Sequence, residues 1–179
     1  EELADELGVE RGRLADLKRL LARAFRRAAE GRGEAGVLLD DVYGRRALEE
    51  LTGQGFWVAR AVEAAGSRPV EFNGGANVAA AIRGWPQEHV VKCNLYMHPH
   101  DDPQTRRLQE QRVLQLYDAC VSNERRLLLE VQPPRGASYG KSGAAEVLEH
   151  LYRLGVRPDW WKLPPALEPE VWRGIGEVV

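Results

Sequence analysis

Three ionisable residues stand inside or at the exits of otherwise apolar runs in this 179-residue chain. They are Lys92 in His89-Val-Val-Lys-Cys-Asn-Leu-Tyr96, Glu130 in Arg126-Leu-Leu-Leu-Glu-Val131, and Lys162 in Asp159-Trp-Trp-Lys-Leu163. Lysine and glutamate are almost never fully buried without a partner. Apolar surroundings disfavour the ammonium form of Lys162, and a nearby second cation such as Lys92 disfavours it further. A lysine whose pKa falls in this way carries free amine near neutral pH and attacks a carbonyl to form a Schiff base. Glu130, between the two in sequence, would move protons to and from the carbinolamine or enamine. The three together make a coherent iminium constellation. The competing reading is that each points outward and snorkels past a helix to water.

Such residues need a scaffold, and the rest of the chain supplies alternating strands and helices. The spacing predicts a short helix over Glu1–Leu7 and a longer one over Arg13–Glu30. The longer helix has Leu14, Leu17, Leu21, Ala24 and Ala28 on an apolar face and Arg13, Lys18, Arg19, Arg23, Arg26 and Arg27 opposite. Gly31 and Gly33 end it. Short apolar runs follow at Gly36–Asp40, Phe56–Ala59, His89–Tyr96, Arg126–Val131 and Asp159–Leu163, with a minor strand at Val70–Phe72. Helices fill the gaps. One runs from Tyr43-Gly44 to Thr52 and another from Asn73-Gly-Gly-Ala76 to Arg83. A long helix to Ser122 starts from Asp102 as N-cap with Pro103 in its first turn. Its expected buried face is Leu108, Leu114, Tyr117, Cys120 and Val121. Ala144–Leu154, stopped by Gly155, and Glu168–Val179 complete the set.

Strands apolar on both faces and separated by helices mean a parallel α/β sheet covered by helices. The main strands begin near 36, 56, 89, 126 and 159, so each repeat takes about 31 residues and eight would take about 250, the usual length of a (β/α)8 TIM barrel. The glycine fingerprint of a dinucleotide-binding first turn is absent, which disfavours a doubly wound sheet. The expectation is a single domain over residues 1–179, a partial barrel. Residue 1 is Glu and both ends read as helix without a terminator, so the chain reads as truncated at both ends.

At three strands the sequence is similar to a specific family. Val91-Lys-Cys-Asn-Leu-Tyr-Met-His-Pro-His-Asp-Asp102, Leu128-Leu-Glu-Val-Gln-Pro-Pro134 and Arg157-Pro-Asp-Trp-Trp-Lys-Leu-Pro164 resemble the aldolase-like domain fused behind the sugar kinase in many bacterial 5-dehydro-2-deoxygluconokinases of myo-inositol catabolism. More remotely the chain resembles the class I tagatose-bisphosphate aldolases, which are (β/α)8 barrels. The resemblance runs over essentially the whole chain. It implies that Lys162 is the Schiff-base lysine of the sixth barrel strand, Lys92 the active-site lysine of the fourth, and Glu130 the proton-transferring glutamate of the fifth. Gly36-Val-Leu-Leu-Asp-Asp-Val-Tyr-Gly44 resembles the second-strand segment, with Asp40 at its exit. The chain would then hold strands two to six. The implied reaction cleaves a phosphorylated deoxy-ketoaldonate, 6-phospho-5-dehydro-2-deoxygluconate, to dihydroxyacetone phosphate and malonate semialdehyde. It would need no cofactor, since the iminium is itself the electron sink. The implied setting is a cytoplasmic chain covalently fused to a kinase, with a homo-oligomer compatible. A non-catalytic regulatory or oligomerisation barrel on that kinase is the alternative.

Other signals compete. Leu3-Ala-Asp-Glu-Leu-Gly-Val-Glu-Arg-Gly-Arg-Leu14 has the look of a helix-turn-helix, whose basic second helix would enter a major groove. Yet Lys and Arg total 25 against 27 Asp and Glu, a net charge of −2, which argues against a nucleic-acid partner. Gly136-Ala-Ser-Tyr-Gly-Lys-Ser142 has three residues between its glycines where a phosphate loop needs four, and reads instead as a loop over the active site. His98-Pro-His-Asp-Asp102 offers metal-ligand types at a strand exit, but a catalytic metal wants further ligands from other strands. No metal is therefore expected; Asp102 reads as a helix cap and His98 as a donor to a substrate oxygen. Alternation sends Trp160 and Trp161 to opposite sides of their strand, leaving Trp160 beside Lys162 as a sugar-stacking candidate. No apolar run is long enough to span a bilayer. Cys93 and Cys120 read as two reduced thiols.

Overall fold

The computed structural model describes residues 2–32 and 34–179. Glu1 and Gly33, expected to begin the first helix and help end the second, lie outside the described residues. The elements alternate as α1 (Glu2–Leu7), α2 (Arg13–Ala29), β1 (Gly36–Asp40), α3 (Asp41–Leu51), β2 (Trp57–Ala61), α4 (Val78–Arg83), β3 (Val90–Tyr96), α5 (Pro103–Ser122), β4 (Leu127–Gln132), α6 (Gly143–Arg153), β5 (Trp160–Lys162) and α7 (Pro169–Gly176). The fold is α/β, with a five-stranded sheet in the order β1-β2-β3-β4-β5. The chain forms two compact units, Glu1–Ala61 with Pro86–Val90, and Val62–Trp85 with Val91–Val179.

In the first unit β1 and β2 pair in parallel, from Gly36 opposite Trp57 to Asp40 opposite Ala61. A Cβ on Gly36 would lie 2.9 Å from the Trp57 ring, so only glycine fits there. Leu39, Val58, Ala47, Leu48, Leu51 and Ala22 form the core, flanked by Phe25 and Phe56 edge to face. Helix α2 differs from its expected orientation. It buries Leu14, Ala22 and Ala29, while Leu21, Ala24 and Ala28 are exposed. Its supposedly solvent-facing cations explain the rotation, because Lys18 pairs with Asp40 and both Arg19 and Arg23 pair with Glu50. Small residues, Ala22 and Ala47, then make the apolar contact.

In the second unit β3, β4 and β5 are successive parallel neighbours. Alternation divides their side chains. Val91, Cys93 and Leu95 of β3, with Leu127, Leu129 and Val131 of β4, pack with Val113 and Leu116 of α5 and Val147, Leu148 and Leu151 of α6. The other set is Lys92, Asn94 and Tyr96, in register with Leu128, Glu130 and Gln132, the first two of which are in register with Trp160 and Lys162. The residues after β2 run beside β3, Val62 N donating to Lys92 O at 2.9 Å. Val70–Phe72 is not a strand, since only an isolated antiparallel bridge joins Glu63 and Phe72.

Short side chains start the helices directly behind the strands. Asp40 accepts from Tyr43 N at 2.8 Å to cap α3, and Asp102 accepts from Gln104 N and Thr105 N to cap α5. The buried face of α5 is Gln109, Val113, Leu116, Ala119 and Cys120, while Leu108 and Val121 are exposed and Leu114 and Tyr117 half-buried. Gln109 turns the helix: its amide donates to Tyr96 O at 2.6 Å and accepts from Val70 N at 2.9 Å, satisfying backbone at the exit of β3. Both cysteines are free and buried, and burial, with Asp159 adding to it, pushes the Cys120 thiol up to about 12. Among the described residues no helix is long and apolar enough to cross a membrane.

Candidate active site

On the polar side of β3–β5 four charged groups form a chain. Glu130, midway along β4, is at its centre. Its Oε1 accepts from Lys162 Nζ at 2.7 Å and from Gln132 Nε2 at 2.6 Å, and its Oε2 lies 3.0 Å from Lys92 Nζ. Lys92 Nζ also donates to Glu63 Oε1 at 2.6 Å. Sheet register produces this order, because Asn94 lies opposite Glu130 and Glu130 opposite Lys162, while Lys92 is one pleat back on the same face. Glu63 is fixed by its own backbone, whose carbonyl accepts from Asn73 Nδ2 at 2.7 Å, and by the neighbouring Val62–Lys92 hydrogen bond. The three residues singled out from the sequence are therefore brought together, and Glu63 joins them.

Their exposures differ sharply. Lys92, Glu130 and Glu63 are 6%, 4% and 9% exposed, whereas the Lys162 side chain is 53% exposed. The expected apolar enclosure of Lys162 is thus corrected: β5 is three residues long, and its lysine stands at the strand end with Glu130 as its charged partner. Nor do the two ammoniums face each other alone, since a carboxylate sits between them. Burial alone would lower the Lys92 pKa, but the charges and hydrogen bonds of Glu63 and Glu130 more than offset it and hold that ammonium above the ordinary lysine range. At Glu130 burial favours the neutral acid, yet the Lys162 hydrogen bond and the Lys92 charge outweigh it and keep the carboxyl below its usual range. At Glu63 burial wins over Lys92, and its carboxyl is held above that range.

This sequence matches over residues 1–179 the model of a family described as an uncharacterized protein conserved in bacteria, DUF2090. The chain belongs to that family. No curated protein matches it.

The remaining candidates of the DUF2090 chain stand apart from the four-residue chain or are already engaged. Asp40 lies in the first unit, where one carboxylate oxygen caps α3 and the other pairs with Lys18. His98 uses both ring nitrogens: Nε2 donates to Ser138 O at 3.1 Å, and Nδ1 accepts from His100 N at 3.1 Å. It braces the 136–142 segment, stacking on Tyr139, whose hydroxyl donates to Met97 O at 2.8 Å. Asp101 is held by Arg68 and by His98 N. Among the described residues no three His, Cys, Asp or Glu side chains are grouped to hold a metal ion. Trp160 shares the polar side with Lys162, with the Arg126 guanidinium 5.3 Å over its ring. Trp161 packs the other way, its indole donating to Tyr152 Oη at 2.8 Å.

Glu63 was the residue the sequence did not single out. It follows Trp57-Val-Ala-Arg-Ala-Val62, two positions past the end of β2 at Ala61. Its signal was a carboxylate directly after the apolar Ala61-Val62, on the continuation of a strand, where Glu130 instead stands inside one.

Proposed function

We propose that this chain is the central part of a (β/α)8 barrel and acts as a class I, Schiff-base aldolase. The observation that carries the reading is the buried Glu130 carboxylate shared by two lysines, 2.7 Å from the accessible one and 3.0 Å from the enclosed one. A carboxylate at that distance exchanges protons with the amine it touches and with a substrate atom bound beside it.

The proposed substrate class is a phosphorylated deoxy-ketoaldonate with a hydroxyl β to its ketone, here 6-phospho-5-dehydro-2-deoxygluconate. Lys162 gives one proton to Glu130, and its nitrogen adds to the C5 carbonyl carbon. The carbinolamine hydroxyl takes that proton and leaves as water, giving the iminium. Glu130, again ionised, removes the C3 hydroxyl proton; the C3–C4 bond breaks and its electron pair moves into the C4–C5 enamine. Malonate semialdehyde departs. Protonation of C4 by Glu130 regenerates the iminium, and water hydrolyses it to dihydroxyacetone phosphate and free Lys162. Lys92, an ammonium throughout, orients a substrate oxygen and stabilises negative charge as it develops. A kinase fused in the same cytoplasmic chain would make the phosphorylated substrate.

Borohydride trapping with dihydroxyacetone phosphate, read by intact mass and peptide mapping, tests this. A covalent adduct on Lys162, lost in Lys162→Ala and Lys162→Arg, is the expected result. A folded wild-type protein that forms no adduct would overturn the aldolase reading and leave a non-catalytic barrel in its place.

A further inference from the structure

The two lysines of this site do not have equal company. Lys162 has Glu130 as its carboxylate partner and reaches solvent; Lys92 has two, Glu63 at 2.6 Å and Glu130 at 3.0 Å, and is almost completely enclosed. A nucleophilic amine needs to shed its proton and meet a carbonyl, and a second carboxylate opposes the first while enclosure opposes the second. We propose that Glu63 is a positioning residue that decides which lysine reacts: it holds Lys92 as the permanent cation of the site and so leaves Lys162 to supply the amine.

The geometry gives Glu63 no other evident task. Its Oε1 accepts from Lys92, and backbone hydrogen bonds from Glu63 and Asn94 steady the carboxyl. A carboxylate carried into the interior is costly, and a glutamate that served only to fill space would be better replaced by an apolar residue. What the cost obtains is charge balance. Glu130 faces two ammoniums, Lys92 and Lys162, and without Glu63 it would have to neutralise both. With Glu63 present each lysine has a carboxylate of its own, and Glu130 is free to take the proton of Lys162 without stranding Lys92 as an unpaired buried charge. Among the described residues the charged groups paired with Lys92 are these two carboxylates, one from the segment after β2 and one from β4; Lys162 pairs with the second of them. This role rests on the proposed Schiff-base chemistry for its consequence, but the charge holding itself does not.

Two measurements separate them. The chain has only four lysines, Lys18, Lys92, Lys141 and Lys162, so lysine side-chain NMR resolves each ammonium during a pH titration. In the wild type Lys92 keeps its proton above the ordinary lysine range, and Glu63→Gln lowers its midpoint by about 1–3 pH units, as removal of one adjacent opposite charge does. Glu63→Asp restores most of the wild-type value. The second measurement is borohydride trapping with dihydroxyacetone phosphate: in Glu63→Gln part of the adduct moves from Lys162 to Lys92. A Lys92 midpoint below the ordinary range in the wild type would overturn the proposal, and this needs no variant to fold. So would an unchanged Lys92 midpoint in a folded Glu63→Gln. A shifted Lys92 with no adduct in any protein would keep the charge-holding role and remove the aldolase reading. An adduct on Lys162 with an unshifted Lys92 would do the reverse.

Discussion

The two sides of β3 and β4 use the same backbone for opposite purposes. Toward α5 and α6, Cys93, Leu95, Leu127, Leu129 and Val131 pack into a continuous apolar core. On the other side, at the intervening positions, Lys92, Asn94, Glu130 and Gln132 carry charge and hydrogen-bonding groups, with Leu128 among them. The apolar side derives its stability from burial of surface, about 25 cal/mol per Å2, and tolerates no polar atom without a partner. The polar side is almost as enclosed at Lys92 and Glu130 yet is held by charge pairing, whose desolvation cost consumes most of its gain. One side is held by buried apolar surface; the other carries paired charges at the expense of stability. Adjacent residues on one strand should therefore respond very differently to the same substitution.

The sharpest break comes at Glu130. Glu130→Ala leaves Lys92 with one carboxylate and Lys162 with none, and removing one partner from a buried pair costs about 3–5 kcal/mol. The expected result in urea denaturation is a loss of unfolding free energy of that size, read as a lower midpoint at unchanged slope. The same pair predicts the acid limb of the stability curve. The Glu130 carboxyl is held below its ordinary value in the folded protein, so its contribution is complete above the unfolded carboxylate pKa of about 4.3 and is lost as pH falls through the folded value. Glu63 has the opposite sign: its raised folded pKa contributes stability below about 4.3 that is lost as pH rises through the folded value. Wild-type stability should therefore fall more steeply below about pH 4 than that of Glu130→Gln, whereas Glu63→Gln should steepen the loss on acidification only above about pH 4.3, where the raised Glu63 carboxyl takes up its proton. Parallel acid limbs in all three proteins would contradict these signs.

Leucines 128 and 129 put the comparison on neighbouring residues. Leu129 is 0% exposed in the helix-packed core, and Leu129→Ala is expected to cost about 2–5 kcal/mol. Leu128 is half-buried on the polar side between Lys92 and Trp160 in register, and Leu128→Ala should cost less than about 1.5 kcal/mol. Equal losses in thermal or urea unfolding would mean that the polar side is packed like a core.

How much of this was readable depends on which side is asked about. The strands are spelled out by short apolar runs, and those around Leu38, Val58, Cys93, Leu129 and Trp161 place all five within a few residues. Lys92, Glu130 and Lys162 stood out because charge inside an apolar run is rare, and parallel register then brought them together. Glu63 was hidden because it comes after the regular strand, where period-two reasoning had already stopped. Burial of α5 was misread for a related reason. Apolar residues lie on more than one side of that helix, and the rotation was decided by Gln109, a polar residue whose two backbone partners at Val70 and Tyr96 are distant in sequence. Lys18, Arg19 and Arg23 likewise looked like a solvated stripe until their carboxylates were in place. Hydrophobic pattern reports what leaves water; it is silent about which polar groups meet.

Arg126 gives the smallest test of where the polar side ends. Its guanidinium lies 5.3 Å over the Trp160 ring, at the opposite end of β5 from Lys162, and the residue itself is exposed. An exposed contact of this kind contributes about 0.5–1 kcal/mol, so Arg126→Ala should lower stability by no more than that. The more informative reading is at the other end of the strand. If Trp160 only packs, adduct formation at Lys162 stays as in the wild type. If Trp160 stacks against substrate, freeing one of its faces changes the dihydroxyacetone phosphate concentration needed for half-maximal trapping while the trapping rate at saturation stays fixed. Because Arg126 touches neither Glu130 nor a lysine in the charged chain, a loss of saturating rate instead would mean that the functional surface extends along the whole strand.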